Sequence, residues 1–91
     1  MDYGPDDEIE HEAPEPPYRQ LAGILKARID RGDWKVNRPI ASEARLVDEF
    51  GLSRPTVRRA IALLVQEGRL FVVPQRGTYV AERKPEESGD E

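Results

Sequence analysis

Between Phe50 and Val65 the chain reads Phe50-Gly51-Leu52-Ser53-Arg54-Pro55-Thr56-Val57-Arg58-Arg59-Ala60-Ile61-Ala62-Leu63-Leu64-Val65, and this order of residue types leaves the backbone little choice. Gly51 supplies the positive φ that closes a preceding helix, and Ser53 supplies an oxygen to cap the next one. Pro55 is tolerated in the first turn, where amide protons have no intrahelical partner. Two helices joined by a tight turn are therefore expected here. From Val57 the apolar residues fall at Val57, Ala60, Ile61, Leu64 and Val65, the i, i+3, i+4, i+7, i+8 spacing of one buried face. Pro55, Arg58, Arg59, Ala62 and Gln66 occupy the opposite face. With Arg54 at the start, cationic groups gather at the N-terminal turns, the end that a helix-turn-helix protein presents to base edges and phosphates.

The flanking elements follow from the same rules. A first helix is predicted from Pro17 or Tyr18 to about Arg31, with Leu21, Ile24, Leu25 and Ile29 on its buried side and Gly32 ending it. Residues 33–40 form a connector, with Trp34 folded over the edge of the core. Arg38 to Ile40 suit a short strand that Pro39 confines to an edge. Ser42 caps a second helix that runs to Phe50 and buries Leu46, Val47 and Phe50. After Glu67-Gly68 the period changes. Leu70-Phe71-Val72-Val73 is a β-prone run, Pro74-Gln75-Arg76-Gly77 is turn chemistry, and Thr78-Tyr79-Val80 is a returning strand. The expected fold class is α+β: a winged helix-turn-helix over residues 17–81, three helices plus a small antiparallel β-hairpin wing.

Composition matters chiefly through charge. The net charge of -4 is unpromising for a nucleic-acid partner until it is divided along the chain. Residues 1–17 hold seven acids and no Lys or Arg, and residues 82–91 hold five acids against two bases. Residues 18–81 are left at +6, from twelve Lys/Arg against six Asp/Glu. Screening over about 8 Å makes this local surplus more relevant than the total. Residues 1–16, acidic and carrying Pro5, Pro14 and Pro16, are expected to be a disordered tail, as are residues 82–91. Two readings of the first tail stand: a solubilising segment, or an acidic competitor for the basic face.

Other function classes find little footing. At 91 residues and 37% hydrophobic content the chain supports one small domain, with no room for a ligand-sensing one. Without cysteine it has neither a disulfide framework nor thiolate chemistry, as expected of a cytoplasmic protein. No apolar run has the length of a membrane span. The single histidine, His11, lies in the acidic tail, so no catalytic residue, metal or cofactor is expected, and the chain is read as not an enzyme.

Pro17-Tyr18-Arg19-Gln20-Leu21, Ser42-Glu43 with Leu46, Phe50 through Ala60, Glu67-Gly68 and Arg76-Gly77-Thr78-Tyr79-Val80 together resemble the DNA-binding domain of GntR-type bacterial transcription regulators. The likeness runs from Pro17 to about Ala81. It implies a bacterial, nucleoid-associated regulator, with repression the favoured direction, that binds a specific double-stranded DNA site. A homodimer on paired half-sites and a protein partner are further candidates. Full-length members of that family carry a C-terminal effector-binding and dimerising domain, and this chain ends about ten residues after the wing. A stand-alone regulator without a small-molecule effector domain is therefore expected. From another class comes an alternative: a winged-helix protein-interaction module or accessory subunit, with DNA binding weak or lost.

On the DNA reading, Arg54 and Arg58 reach the major groove, at least one pairing with guanine O6/N7, while Ser53 and Thr56 bind phosphate. Pro55 meets a thymine methyl, and Arg59 serves bases or backbone. An aromatic at the place of Tyr18 lies near the DNA backbone in the related family, yet a packing anchor explains it equally well. Glu43 suits a helix N-terminus electrostatically, or alternatively reaches across to orient Arg58. Arg45 is expected on a phosphate, and Arg76 probes the minor groove or a phosphate from the wing tip. Ser42, Gln75, Gly77 and Thr78 complete the expected set. Four positions depart from the family's usual residues: Asn37 and Gln75 stand for Gly, Ala41 for Pro, and Ala44 for a DNA-contacting Arg.

Overall fold

The computed structural model describes residues 3–82. Among them are helices α1 (Pro17–Arg31), α2 (Glu43–Phe50) and α3 (Arg54–Gln66), then strands β1 (Leu70–Val73) and β2 (Gly77–Val80). Local chemistry sets each boundary. Pro17 opens α1, and Gly32 closes it at φ 93° with its amide donating to the carbonyls of Arg28 and Ile29. The Ser42 hydroxyl accepts from the Arg45 amide to cap α2, and Gly51 at φ 66° ends it. Ser53 repeats the device for α3 by accepting from the Thr56 amide. The helix-turn-helix is thus written in two serine caps and one left-handed glycine.

β1 and β2 pair antiparallel in the register Leu70↔Val80 to Val73↔Gly77. The expected edge strand is reduced to a bridge, Pro39↔Tyr79, flanked by Ile40 N–H to Thr78 O at 2.9 Å and Val80 N–H to Arg38 O at 3.0 Å. Pro39 has no N–H to lengthen the ladder, so it sits at the margin. Leu21, Leu25, Leu46, Val57, Ala60, Leu64, Leu70 and Val80 form the centre of one core shared by helices and hairpin. A lone two-stranded ribbon is only marginally stable, and Leu70 and Val80 are its anchors to the helical body.

Several expectations need correction. Val65, assigned to the buried face of α3, is 37% exposed and lines an open hollow beside the wing with Val72 and Thr78. Val47, Phe50 and Ile29 are only partly buried against the core. Gln75 holds φ at 67°, a region that glycine enters freely and glutamine does not; Asn37, at φ 65°, is better suited to it. The largest revision concerns residues 3–16. Expected to be disordered, they lie along α1, held by the buried Gln20 side chain and by Arg28 and Arg31, with Ile9 against the core. Backbone hydrogen bonding fixes this segment, and apolar periodicity does not register that. Beyond Glu82, the acidic C-terminal tail falls outside the described residues.

Candidate nucleic-acid interface

The N-terminal ends of α2 and α3 and the turn of the hairpin open onto one groove of about 500 Å³. Ser42, Glu43, Arg54, Gln75, Arg76, Gly77 and Thr78 line it. Helix ends converge here because the tight turn through Gly51 sets α3 across α2, and the shared core brings the hairpin back beside both. Each helix N-terminus also presents unpaired amide protons and a partial positive charge.

Glu43 is the centre of the arrangement. Its carboxylate accepts from Arg54 Nη1 at 3.0 Å and from Arg58 Nε at 3.0 and 3.1 Å. The alternative reading of this residue is thus met in geometry: it orients Arg58, and Arg54 as well. The Arg58 guanidinium holds the Glu43 carboxyl below the usual carboxylate range, with Arg54 adding to the effect and partial burial opposing it. Both arginines remain exposed, with side chains 50% and 64% accessible. Arg58 donates to Glu43 through Nε alone, which leaves the parallel pair of terminal N–H groups directed elsewhere. That fork matches O6 and N7 of guanine.

At the start of α3 the Ser53 and Thr56 hydroxyls lie 2.7 Å apart, so one proton is shared between them and the other hydroxyl proton is left to donate outward. Pro55 is exposed beside them. Tyr18 and Arg59 form a second group. The Arg59 guanidinium sits 4.3 Å from the centre of the Tyr18 ring, within cation–π range. Arg19, absent from the expected set, approaches the same ring at 5.5 Å. Its position next to Tyr18 in the chain was the available signal. Arg45 does not share the wing groove; it lines a separate hollow with Trp34, Arg28 and Glu49.

Val72, also absent from the expected set, lines the wing groove and is 56% exposed. Strict alternation along β1 would have turned it inward with Leu70, but of the four strand residues only Leu70 is buried. Among the described residues, no group of three or more His, Cys, Asp or Glu side chains is placed to hold a metal ion. Nor is any helix there long and apolar enough to cross a membrane.

Comparison with known proteins agrees with this geometry. Residues 17–80 match the family model described as bacterial regulatory proteins, gntR family. The HTH-type transcriptional repressor NagR of Bacillus subtilis is 39% identical over 80 residues, which span 88% of this chain and 33% of that protein. The histidine utilization repressor of Klebsiella aerogenes is 42% identical over 72 residues, 79% of this chain and 30% of that protein. The chain therefore spans about a third of the length of these relatives. Among solved structures, AraR(DBD) in complex with operator ORE1 superposes with a TM-score of 0.73 at 36% identity, covering 80% of this chain and 89% of that one. YtrA from Sulfolobus acidocaldarius, a GntR-family transcription factor, gives a TM-score of 0.75 at 30% identity, over 85% and 81% of the two chains. The matched region takes in all three helices and the hairpin, and the chain belongs to the gntR family of bacterial regulatory proteins.

Proposed function

We propose that residues 17–81 bind a specific double-stranded DNA site and that the protein acts there as a transcriptional repressor in the cytoplasm, on the nucleoid. The observation that carries this reading is the Glu43 clamp: one carboxylate aligns two exposed arginines at the N-terminus of α3 while leaving the Arg58 fork open. In the proposed complex Arg58 reads guanine and Arg54 reads the neighbouring step or its phosphate. The free hydroxyl proton of the Ser53–Thr56 pair goes to phosphate, and Pro55 rests on a thymine methyl. Arg76 enters the minor groove from the hairpin turn, with Gln75, Gly77 and Thr78 shaping its approach. Tyr18, Arg19 and Arg59 contact the backbone together at the start of α1. Ser42 serves α2 as its cap, and Arg45 contacts a flanking phosphate from the neighbouring hollow.

Repression is the activity in the names of both relatives described above, and the operator in the AraR(DBD) complex supports double-stranded DNA as the partner. A pair of chains on adjacent half-sites is the arrangement proposed for the bound state. The competing reading, a protein-interaction module, draws on the apolar hollow beside the wing lined by Ile61, Ala62, Val65 and Val72. Selection of binding sites from random duplex DNA by the purified chain, followed by titration at several salt concentrations, separates the two. Enriched, roughly palindromic sites whose affinity falls steeply with salt are expected, since each neutralised phosphate contributes about -0.9 to the slope of log K against log salt. Failure to enrich any sequence, with weak binding insensitive to salt, would replace the repressor reading with the protein-interaction one.

A further inference from the structure

Gly23 lies in the middle of α1, where its φ is not positive and alanine would favour the helix. The reason for glycine lies outside the helix. A Cβ built there would overlap Cδ2 of Tyr3, so the aromatic ring occupies the place of the missing side chain. Three residues earlier, Gln20 is 1% exposed and uses its whole amide on the main chain of the same N-terminal segment. Its Oε1 accepts from the Glu10 N–H at 2.8 Å, and its Nε2 donates to the carbonyls of Glu10 at 2.9 Å and Glu15 at 2.7 Å. A buried amide with every group paired is a strong positional constraint, since leaving any one unpaired would be costly. Arg28 Nε adds a bond to the Pro5 carbonyl at 2.8 Å, and Arg31 pairs with Asp6 at 3.1 Å. The Tyr3 hydroxyl donates to the Glu15 carboxylate, closing the segment on itself.

We infer that the outer side of α1 is a peptide-docking groove whose resident occupant is the chain's own residues 3–15, which act as a strap bracing α1. The groove takes an aromatic ring in the Gly23 notch and a turned main chain on Gln20, with Arg31 reaching the exposed Asp6 at its edge. Its occupant is thereby kept off the arginines of α3: Asp6 lies on Arg31, while Arg54 and Arg58 share Glu43. The strap feeds through Pro16 into Tyr18, whose ring receives Arg59, so docking also steadies one support of α3. This rests on packing alone and holds whether or not the chain binds DNA.

Amide hydrogen exchange and thermal melting of the full chain test it, using Gly23→Ala, Tyr3→Ala and the double variant. The Glu10 amide in the unaltered chain is expected to exchange at least about tenfold more slowly than in an unstructured peptide. Gly23→Ala alone should reduce that protection several-fold and lower the melting midpoint. In the Tyr3→Ala background the same change should raise the midpoint by a few degrees, because alanine then only improves the helix. This reversal of sign is the signature of the Tyr3–Gly23 contact. Exchange of Glu10 at the unstructured rate in the unaltered chain would overturn the inference, as would additivity of the two substitutions.

Discussion

Arg54 and Arg58 of α3 and Arg28 of α1 have the same side-chain chemistry and opposite availability. On the α3 side, Arg54 and Arg58 share one carboxylate, and their side chains are half exposed or more. On the α1 side, Arg28 is only 14% exposed and has three of its five N–H donors on protein partners. Its Nη1 and Nη2 grip both oxygens of Glu49 at 3.1 and 2.6 Å, its Nε holds the Pro5 carbonyl, and its Cζ lies 5.2 Å from the Phe50 ring centre. A guanidinium has five donors in a fixed fork, and function depends on which remain unused. Arg58 keeps its fork open; Arg28 closes its own on Glu49 and gives only Nε to the strap. Basic charge on a small domain is therefore not a map of its binding surface. The count of unpaired donors is the better guide.

The contrast is broken most directly by paired substitutions. Arg58→Ala should cost about 1 to 3 kcal/mol of discrimination at one base position, read from competition among operator variants. Arg28→Ala should leave DNA affinity unchanged and lower stability by about 1 kcal/mol, a shift of roughly 4–8 °C in melting midpoint, the ion-pair share being reduced by solvent screening. Equal loss of affinity from both would erase the distinction between the two sides. Uniform weakening on all sequences by Arg58→Ala would make that residue a phosphate clamp.

A smaller effect is expected at the clamp itself. Glu43→Gln keeps the shape, removes the charge and loosens both arginines. Non-specific affinity should rise about threefold through lost repulsion, while preference for the best site falls by a similar factor. Binding curves on matched and scrambled duplexes check the sign split; parallel movement of the two would deny Glu43 a positioning role. Arg58 and Arg54 hold this carboxyl below the usual range, so its folded pKa is depressed. The stability it contributes is present above the unfolded pKa and is lost only as pH falls through the lower folded value. The clamp should thus persist in mild acid.

The smallest signal belongs to the strap. The Tyr3 phenol is pushed up from 10.0 to about 12, first by its hydrogen bond to Glu15, then by burial and by the charges of Glu15 and Asp7. A raised phenol pKa means that its contribution to docking is complete below pH 10 and disappears as pH approaches 12. Absorbance titration should show one of the three tyrosines ionising late, and Tyr3→Phe should remove that component. Absence of a late-ionising component would argue against a seated ring.

Much of the architecture was legible because its causes are local. The serine caps at Ser42 and Ser53, the left-handed glycines at Gly32 and Gly51, and the Val57-Ala60-Ile61-Leu64 stripe all act within a turn or two of chain. The exposed arginines of α3 could be placed on one face for the same reason. The hairpin was visible from its turn chemistry, although Gln75 in a left-handed conformation was not. The N-terminal segment misled because its order rests on the main chain. Tyr3 and Ile9 are too few to make a periodic pattern, and hydrogen bonds to Gln20 leave no trace in residue type.

By itself, then, the order of residues determined the three helices and the hairpin to within about a residue at their ends, most of the apolar face of α3, and which residues were candidates for the interface. Helical period and capping depend on neighbours three or four residues apart, and those are written side by side. Only the tertiary structure decided that Glu43 takes both Arg54 and Arg58, that Arg59 leans on Tyr18, and that Tyr3 fills the gap at Gly23. Those pairs are separated by eleven to forty-one residues. Their energies fall off within a few ångströms, so they exist only once the core has brought the elements together.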